Sequence, residues 1–277
     1  MIISDHPGSW RREHNLGAVG AAPFGTSVTT GGTTATKGTP AELITSTAFD
    51  AWMVSVIVSQ YAASTVASDG ALDILIGAAT EEILIPDLLF GAAGGETVNA
   101  GLGPRVWTFP LHVPAGSRLA AQAAGRRTST ALRVGIVLHG GPSQPPFRCG
   151  TRVDTLGMGT VPNGTAITAG ETGAEGGWTQ IIASTARDYF ALVPSLQVTN
   201  DGSTNFRTLF ADIGIGAATE EEVLQSQIYM TDNTERMVEV ASLPHFATVP
   251  AGSRLTMRVS NSGLNDAGYD GVIHGVC

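Results

Sequence analysis

Seven residues, Ile76-Gly-Ala-Ala-Thr-Glu-Glu82, return later in the chain as Ile215-Gly-Ala-Ala-Thr-Glu-Glu221. An Asp-Ile pair precedes each copy, at Asp73 and Asp212. Three further segments recur in the same order. Ser46-Thr-Ala-Phe-Asp50 matches Ser184-Thr-Ala-Arg-Asp188, Val113-Pro-Ala-Gly-Ser-Arg-Leu119 matches Val249-Pro-Ala-Gly-Ser-Arg-Leu255, and Val137-Leu-His-Gly140 matches Val272-Ile-His-Gly275. The offsets stay between 135 and 139 residues, so the order is kept with only small insertions. A collinear set of this kind means one duplicated unit. Whatever strand order the first half takes, the second is expected to repeat, with Ile76 and Ile215 superposed and buried.

The unit reads as β-structure. Ala51-Trp-Met-Val-Ser-Val-Ile-Val58 puts Trp52, Val54, Val56 and Val58 on one face and Met53 and Ile57 on the other. Two largely apolar faces suggest a central strand covered on both sides. Further short strands are expected at 26–30, 42–45, 72–76, 83–85, 106–109, 117–123 and 132–138, with the one at 83–85 ending at Pro86. In Pro114-Ala-Gly116 and Pro250-Ala-Gly252 the proline fixes φ and the glycine can turn left-handed, which predicts a hairpin with a bulge. About eight short strands separated by turn signals indicate an antiparallel β-sandwich of jelly-roll type. The expected organisation is an extended N-terminal arm (1–25), a first sandwich (26–141), a Pro-rich linker (142–159) and a second sandwich (160–277). Length agrees, since 277 residues suffice for two cores.

The formal charge of −9 argues against a nucleic-acid partner and against docking on an anionic membrane. No run reaches the ~18 to 20 apolar residues of a membrane-spanning helix. Nothing at the start reads as a secretory signal, so synthesis in a cytoplasm is expected. Cys149 and Cys277 do not occupy matching positions. Free thiols are therefore favoured over a disulfide framework.

Several groups are candidates for chemistry. Glu81/Glu82 and Glu220/Glu221, with Asp73 and Asp212 nearby, form the obvious carboxylate clusters. Neighbouring residues on a strand point to opposite faces, so each pair reads first as a solvated turn; calcium held by carboxylates and loop carbonyls is the rival reading. His139 and His274 match, each at the end of a last strand, and read as structural. Arg118 and Arg254 match too, and should pair with a carboxylate or loop carbonyls at the rim. No Gly-x-Ser-x-Gly, HExxH, P-loop or metal-spaced cysteine pair occurs. From this the chain is expected to be non-enzymatic and to need no cofactor.

The repeated Gly-Ala-Ala-x-Glu-Glu, Pro-Ala-Gly-Ser-Arg-Leu and Ser-Thr-Ala-x-Asp segments resemble those of structural proteins of tailed bacteriophages, in head-decoration or tail-associated roles. The resemblance covers residues 26–277. It implies a virion component made in the host cytoplasm, in contact with major capsid or tail proteins and with its own copies as a homo-oligomer. A pair of carbohydrate-binding modules and a double-jelly-roll capsid shell subunit are the alternatives. Within the arm, Trp10, Arg11 and Arg12 are the residue types that anchor interfaces, which points to docking on the particle or on a neighbouring copy.

Overall fold

The computed structural model describes residues 12–16, 25–61, 70–77, 81–90, 105–141, 143, 145–161, 163–200, 207–217, 220–231, 237–238, 241–263 and 268–277. Among them every regular element is a strand. The first half holds β1 (Arg12–Leu16), β2 (Thr26–Thr29), β3 (Ala41–Ile44), β4 (Ala51–Tyr61), β5 (Gly70–Ile76), β6 (Glu82–Phe90), β7 (Arg105–Phe109), β8 (Leu119–Gly125) and β9 (Ala131–Gly140). The second holds β10 (Val153–Leu156), β11 (Thr165–Thr168), β12 (Thr179–Ile182), β13 (Tyr189–Asn200), β14 (Arg207–Ala217), β15 (Glu220–Thr231), β16 (Met237–Val238), β17 (Ala241–Ser242), β18 (His245–Val249), β19 (Leu255–Asn261) and β20 (Gly268–Val276).

In the first half, β2-β9-β4-β7 form one sheet and β3-β8-β5-β6 the other, while β1 shares the edge of β9 with β2. In the second, β11-β20-β13-β18 and β12-β19-β14-β15 repeat that order, and β10 shares the edge of β20 with β11. Consecutive strands keep crossing between two facing antiparallel sheets, as a jelly roll requires. The protein is all-β, two jelly-roll sandwiches in tandem.

The strand alternation read from the sequence places Val54, Val56 and Val58 in the first core with Leu72, Ile74, Phe109, Leu132 and Val134. The second core is built from Leu192, Leu196, Ile213, Leu255, Met257, Tyr269 and Ile273. Each such side chain contributes about 1.5–3 kcal/mol by leaving water. Ile76 and Ile215 pack at the margins of their cores and are half-buried, not buried as expected.

Three further differences have physical causes. Residues 12–16, expected as arm, form β1 on the edge of β9, and residues 153–156, expected as linker, form β10 in the same place on β20. Backbone pairing needs no particular side chain, so the two strands share no motif for the eye to match. Strand β6 does not stop at Pro86. Pro86 and Asp87 together face Asp73 in a bulge, with Asp87 at φ +50°. β6 is an edge strand, where a missing N–H costs no ladder bond. Finally, the Pro-Ala-Gly-Ser turns are not hairpins. They carry the chain from one sheet to the other, from β7 to β8 and from β18 to β19.

The sandwiches form a continuous packing. The outer face of β13 and β20 in the second sandwich lies against the first, so that Val193 and Val276 join the first core. Ala71 and Leu89 of the first sandwich pack on Val272 of the second, with Met158 and Val161 closing over them. Strand β17, from the second half, pairs in parallel with β7 through Ala241 opposite Val106 and Ser242 opposite Trp107.

Candidate interaction surface

The matched motifs resolve into one repeated locking device. Thr47 donates its hydroxyl to the Pro114 carbonyl at 2.8 Å and accepts from the Ser117 amide at 3.0 Å. Asp50 accepts from the Ala115 amide at 2.8 Å, and the Gly116 amide donates to the Thr47 carbonyl. In the second sandwich Thr185 and Asp188 bind Pro250, Ala251, Gly252 and Ser253 in the same way. Gly116 and Gly252 sit at φ +81° and +83°, the left-handed region that costs other residues most. The Ser-Thr-Ala-x-Asp segment and the Pro-Ala-Gly-Ser turn are thus two halves of one corner, which is why they recur together.

Three of the candidate carboxylates, Glu81, Asp73 and Asp212, are absorbed into ion pairs. Arg118 binds Glu81, and reaches Glu42 at 2.8 Å and the Gly77 carbonyl at 3.4 Å. Those carboxylates hold its guanidinium above the ordinary arginine value. Its counterpart Arg254 donates to Gln180 and to the Gly216 carbonyl. Glu82 is exposed. The side chains of Glu220 and Glu221 lie outside the described residues. Asp73 is buried, and receives Lys37 at 2.7 Å, Gln122 at 2.9 Å and the Asp87 amide at 2.9 Å. Asp212 is held instead by Arg258 at 2.9 Å and by Ser226 at 2.6 Å, while Arg258 also binds Glu175 and lies 4.3 Å over the Trp178 ring. No group of three or more metal-ligating side chains occurs among the described residues.

The matched histidines have opposite fates because the outer sheet faces do. His139 is half-buried, with Nε2 3.2 Å from the Ser55 hydroxyl. His274 is sealed between the sandwiches. The Thr155 hydroxyl donates to the Pro86 carbonyl at 2.6 Å and lies 3.0 Å from Nδ1 of His274, so Nδ1 carries the proton and donates to threonine. Nε2 has no partner, and the ring meets Phe109 edge-on at 5.7 Å. Desolvation, aided by the Arg105 charge, lowers the His274 pKa to about 3. His112 stacks on Trp52 at 4.3 Å, and burial lowers His245. Cys149 and Cys277 are free thiols; burial pushes Cys149 up to about 11.

Sequence reading passed over Arg105, which ties the sandwiches together. It is 1% exposed, and donates to the Leu89 carbonyl at 2.9 Å and to the Leu196 carbonyl at 2.8 Å. Burial lowers its pKa to about 10. Trp107, 4.8 Å from that guanidinium, donates to the Ser195 hydroxyl across the seam. The only signal was an arginine opening a mostly apolar strand.

Large apolar side chains remain in water. Phe210 and Ile228 face each other across β14 and β15, exposed by 47% and 55%. Val223, Leu243 and Phe246 are exposed nearby in the sequence of the second sandwich, and Ile83 in the first. Trp10 and Arg11 lie outside the described residues. Arg12 is placed in β1 opposite Gly140, with its side chain outside them.

No protein-family model matches the chain, and no curated protein sequence does. Among solved structures, PNGF-II aligns at TM-score 0.39 and 8% identity over 95% of this chain and 66% of its own. The chain therefore spans about two thirds of that protein's length. PNGase F, a glycosylasparaginase from Flavobacterium meningosepticum, aligns at TM-score 0.36 and 10% identity over 95% of both chains. The tandem CBM22 domains of Paenibacillus barcinonensis Xyn10C give 0.28 and 10% over 96% of this chain and 91% of theirs. An infectious bursal disease virus structure gives 0.25 and 10% over 98% and 73%. At such scores the likeness is one of β-rich architecture. It nevertheless corrects one expectation. Glycosylasparaginases stand among the structures similar to this chain, so the non-enzymatic reading does not hold. That reading rested on the absence of short motifs, whereas a catalytic site on paired sandwiches can be assembled from residues far apart in sequence.

Proposed function

We propose that the protein is a structural component of a virus particle, of the tailed-bacteriophage kind, in a capsid-decoration or tail-associated role. It would act through protein–protein contacts with other virion proteins and with its own copies. The observation that carries this reading is the apolar side chains left in water on one outer sheet face of the double sandwich. A pair such as Phe210 and Ile228, about half exposed on adjacent strands, is the surface an assembling subunit presents. The acidic balance favours protein over nucleic acid as partner.

The test is mass spectrometry of purified particles, with the protein quantified against the major shell protein. A fixed ratio in intact particles supports the reading. Its absence from particles, together with selective retention on a glycan array, would transfer the reading to carbohydrate binding.

A further inference from the structure

The duplication supplies a template for the partner. Motif alignment sets Ala71 against Phe210 and Leu89 against Ile228, and the pairing agrees: Ala71 faces Leu89 across β5 and β6 as Phe210 faces Ile228 across β14 and β15. In the first sandwich this pair is fully buried on Val272 of the second. In the second sandwich the pair is open and larger, Phe210 standing where the first has alanine. The receiving side shows the reverse pattern. Val272 and Val193, on the outer face of β20 and β13, are buried by the intrachain contact. Val137 matches Val272, and it lies half-buried on the outer face of β9 beside Met53 and Ile57 of β4. One chain thus has a used knob, a used seat, a free knob and a free seat.

We propose that a second copy of this chain fills the vacancy. The Phe210/Ile228 face of one copy seats on the Met53/Ile57/Val137 face of the next, repeating between chains the contact that Ala71/Leu89 make with Val272 inside each. The arrangement is head-to-tail, so knob and seat are different surfaces, and copies close into a ring or extend into a filament according to the rotation between sandwiches. Strand β1 belongs to the seat, because its counterpart β10 contributes Thr155 to the intrachain contact through the Pro86 carbonyl. This deepens the reading of the protein as an assembly component and rests on it only for the setting.

The experiment uses the purified full chain, its mass followed by light scattering and sedimentation against concentration. Wild type should exceed the 28.5 kDa of one chain. Ile228→Asp, which blocks the knob, and Val137→Asp, which blocks the seat, should each give folded monomers by circular dichroism. Mixed together, the two variants should form a one-to-one pair and nothing larger, because one functional knob and one functional seat remain. Should either aspartate variant unfold, Ile228→Ser and Val137→Ser serve in the same mixing design. Wild type that stays at monomer mass at every concentration overturns the proposal. So do variants that keep wild-type mass, and blocked variants that fail to pair. A monomeric chain found at fixed ratio in particles would sink this contact alone, whereas a self-assembling chain absent from particles would sink the virion reading alone.

Discussion

Lys37 and Glu175 occupy the same position of the two sandwiches with opposite charge, and each serves the matched buried aspartate of its own sandwich, Lys37 by binding Asp73 and Glu175 by binding the Arg258 that holds Asp212. The glycine after each places them: Gly38 and Gly176 donate their amides to the matched carbonyls of Ala123 and Val259. In the first sandwich Lys37 is the cation on Asp73, and Gln122 is a neutral second donor. In the second, Arg258 stands where Gln122 does and is the cation on Asp212, so the loop position turns acidic and binds Arg258 in its turn. The cation has moved from a loop to a strand without leaving the carboxylate bare.

Transplanting one solution into the other is the first prediction. Lys37→Glu alone removes the cation from Asp73, which is 3% exposed, and adds a like charge. It should destabilise by about 3–5 kcal/mol, the cost of breaking a buried pair. Lys37→Glu with Gln122→Arg should recover most of that loss. Urea denaturation of wild type and both variants checks it; a double variant no better than the single one would show that the two networks are not equivalent.

The corner device gives the second. Thr47→Ala removes both a donor to Pro114 and the acceptor of the Ser117 amide, and should cost about 1–2 kcal/mol. Thr185→Ala should cost a similar amount in the second sandwich, and Thr47→Ser far less. Equal melting temperatures for Thr47→Ala and Thr47→Ser would remove the hydroxyl from the account.

Gly116→Ala and Gly252→Ala test the backbone of the same corner. A Cβ at either position meets nothing within 4 Å, so the cost is the left-handed conformation alone, about 1–2 kcal/mol. Asparagine, which tolerates that region, should be milder than alanine at both sites.

His274 makes stability depend on pH in a defined direction. It stays neutral in the fold, with a pKa lowered from 6.5 to about 3, whereas the unfolded chain takes up the proton below 6.5. The unfolded state therefore binds more protons in that window, and stability falls as pH drops from 6.5 towards 3. Above 6.5 this contribution is flat. The difference in unfolding free energy between wild type and His274→Gln, followed across the window, should shrink as the pH is lowered. A difference that does not change with pH would mean the imidazole is not sealed.

Much of this was legible from residues because it is local. Alternating Val54, Val56 and Val58 declared a core face, and the matched motifs declared a shared strand order. Pro-Ala-Gly-Ser announced a turn but not which sheet the chain would enter next, since a left-handed glycine serves a hairpin and a sheet-to-sheet corner alike. The seam between the sandwiches was not legible. Arg105 is satisfied by the Leu89 and Leu196 carbonyls, and main-chain acceptors leave no mark in a sequence. Nor could the sequence separate His139 from His274, because their difference lies in which outer face the other sandwich covers.

Strand β17 makes the two sandwiches unequal in time as well as in space. The ribosome completes the first sandwich before Ala241 and Ser242 exist, so the β7 margin, closed by them in the finished protein, emerges as a bare row of amides and carbonyls. During synthesis the first sandwich is therefore a template that any passing strand can extend, and the interval ends only when the chain supplies its own. Truncations that stop before residue 241 should accumulate as aggregates even when their own sandwich folds. Later translation thus protects a part of the protein made before it.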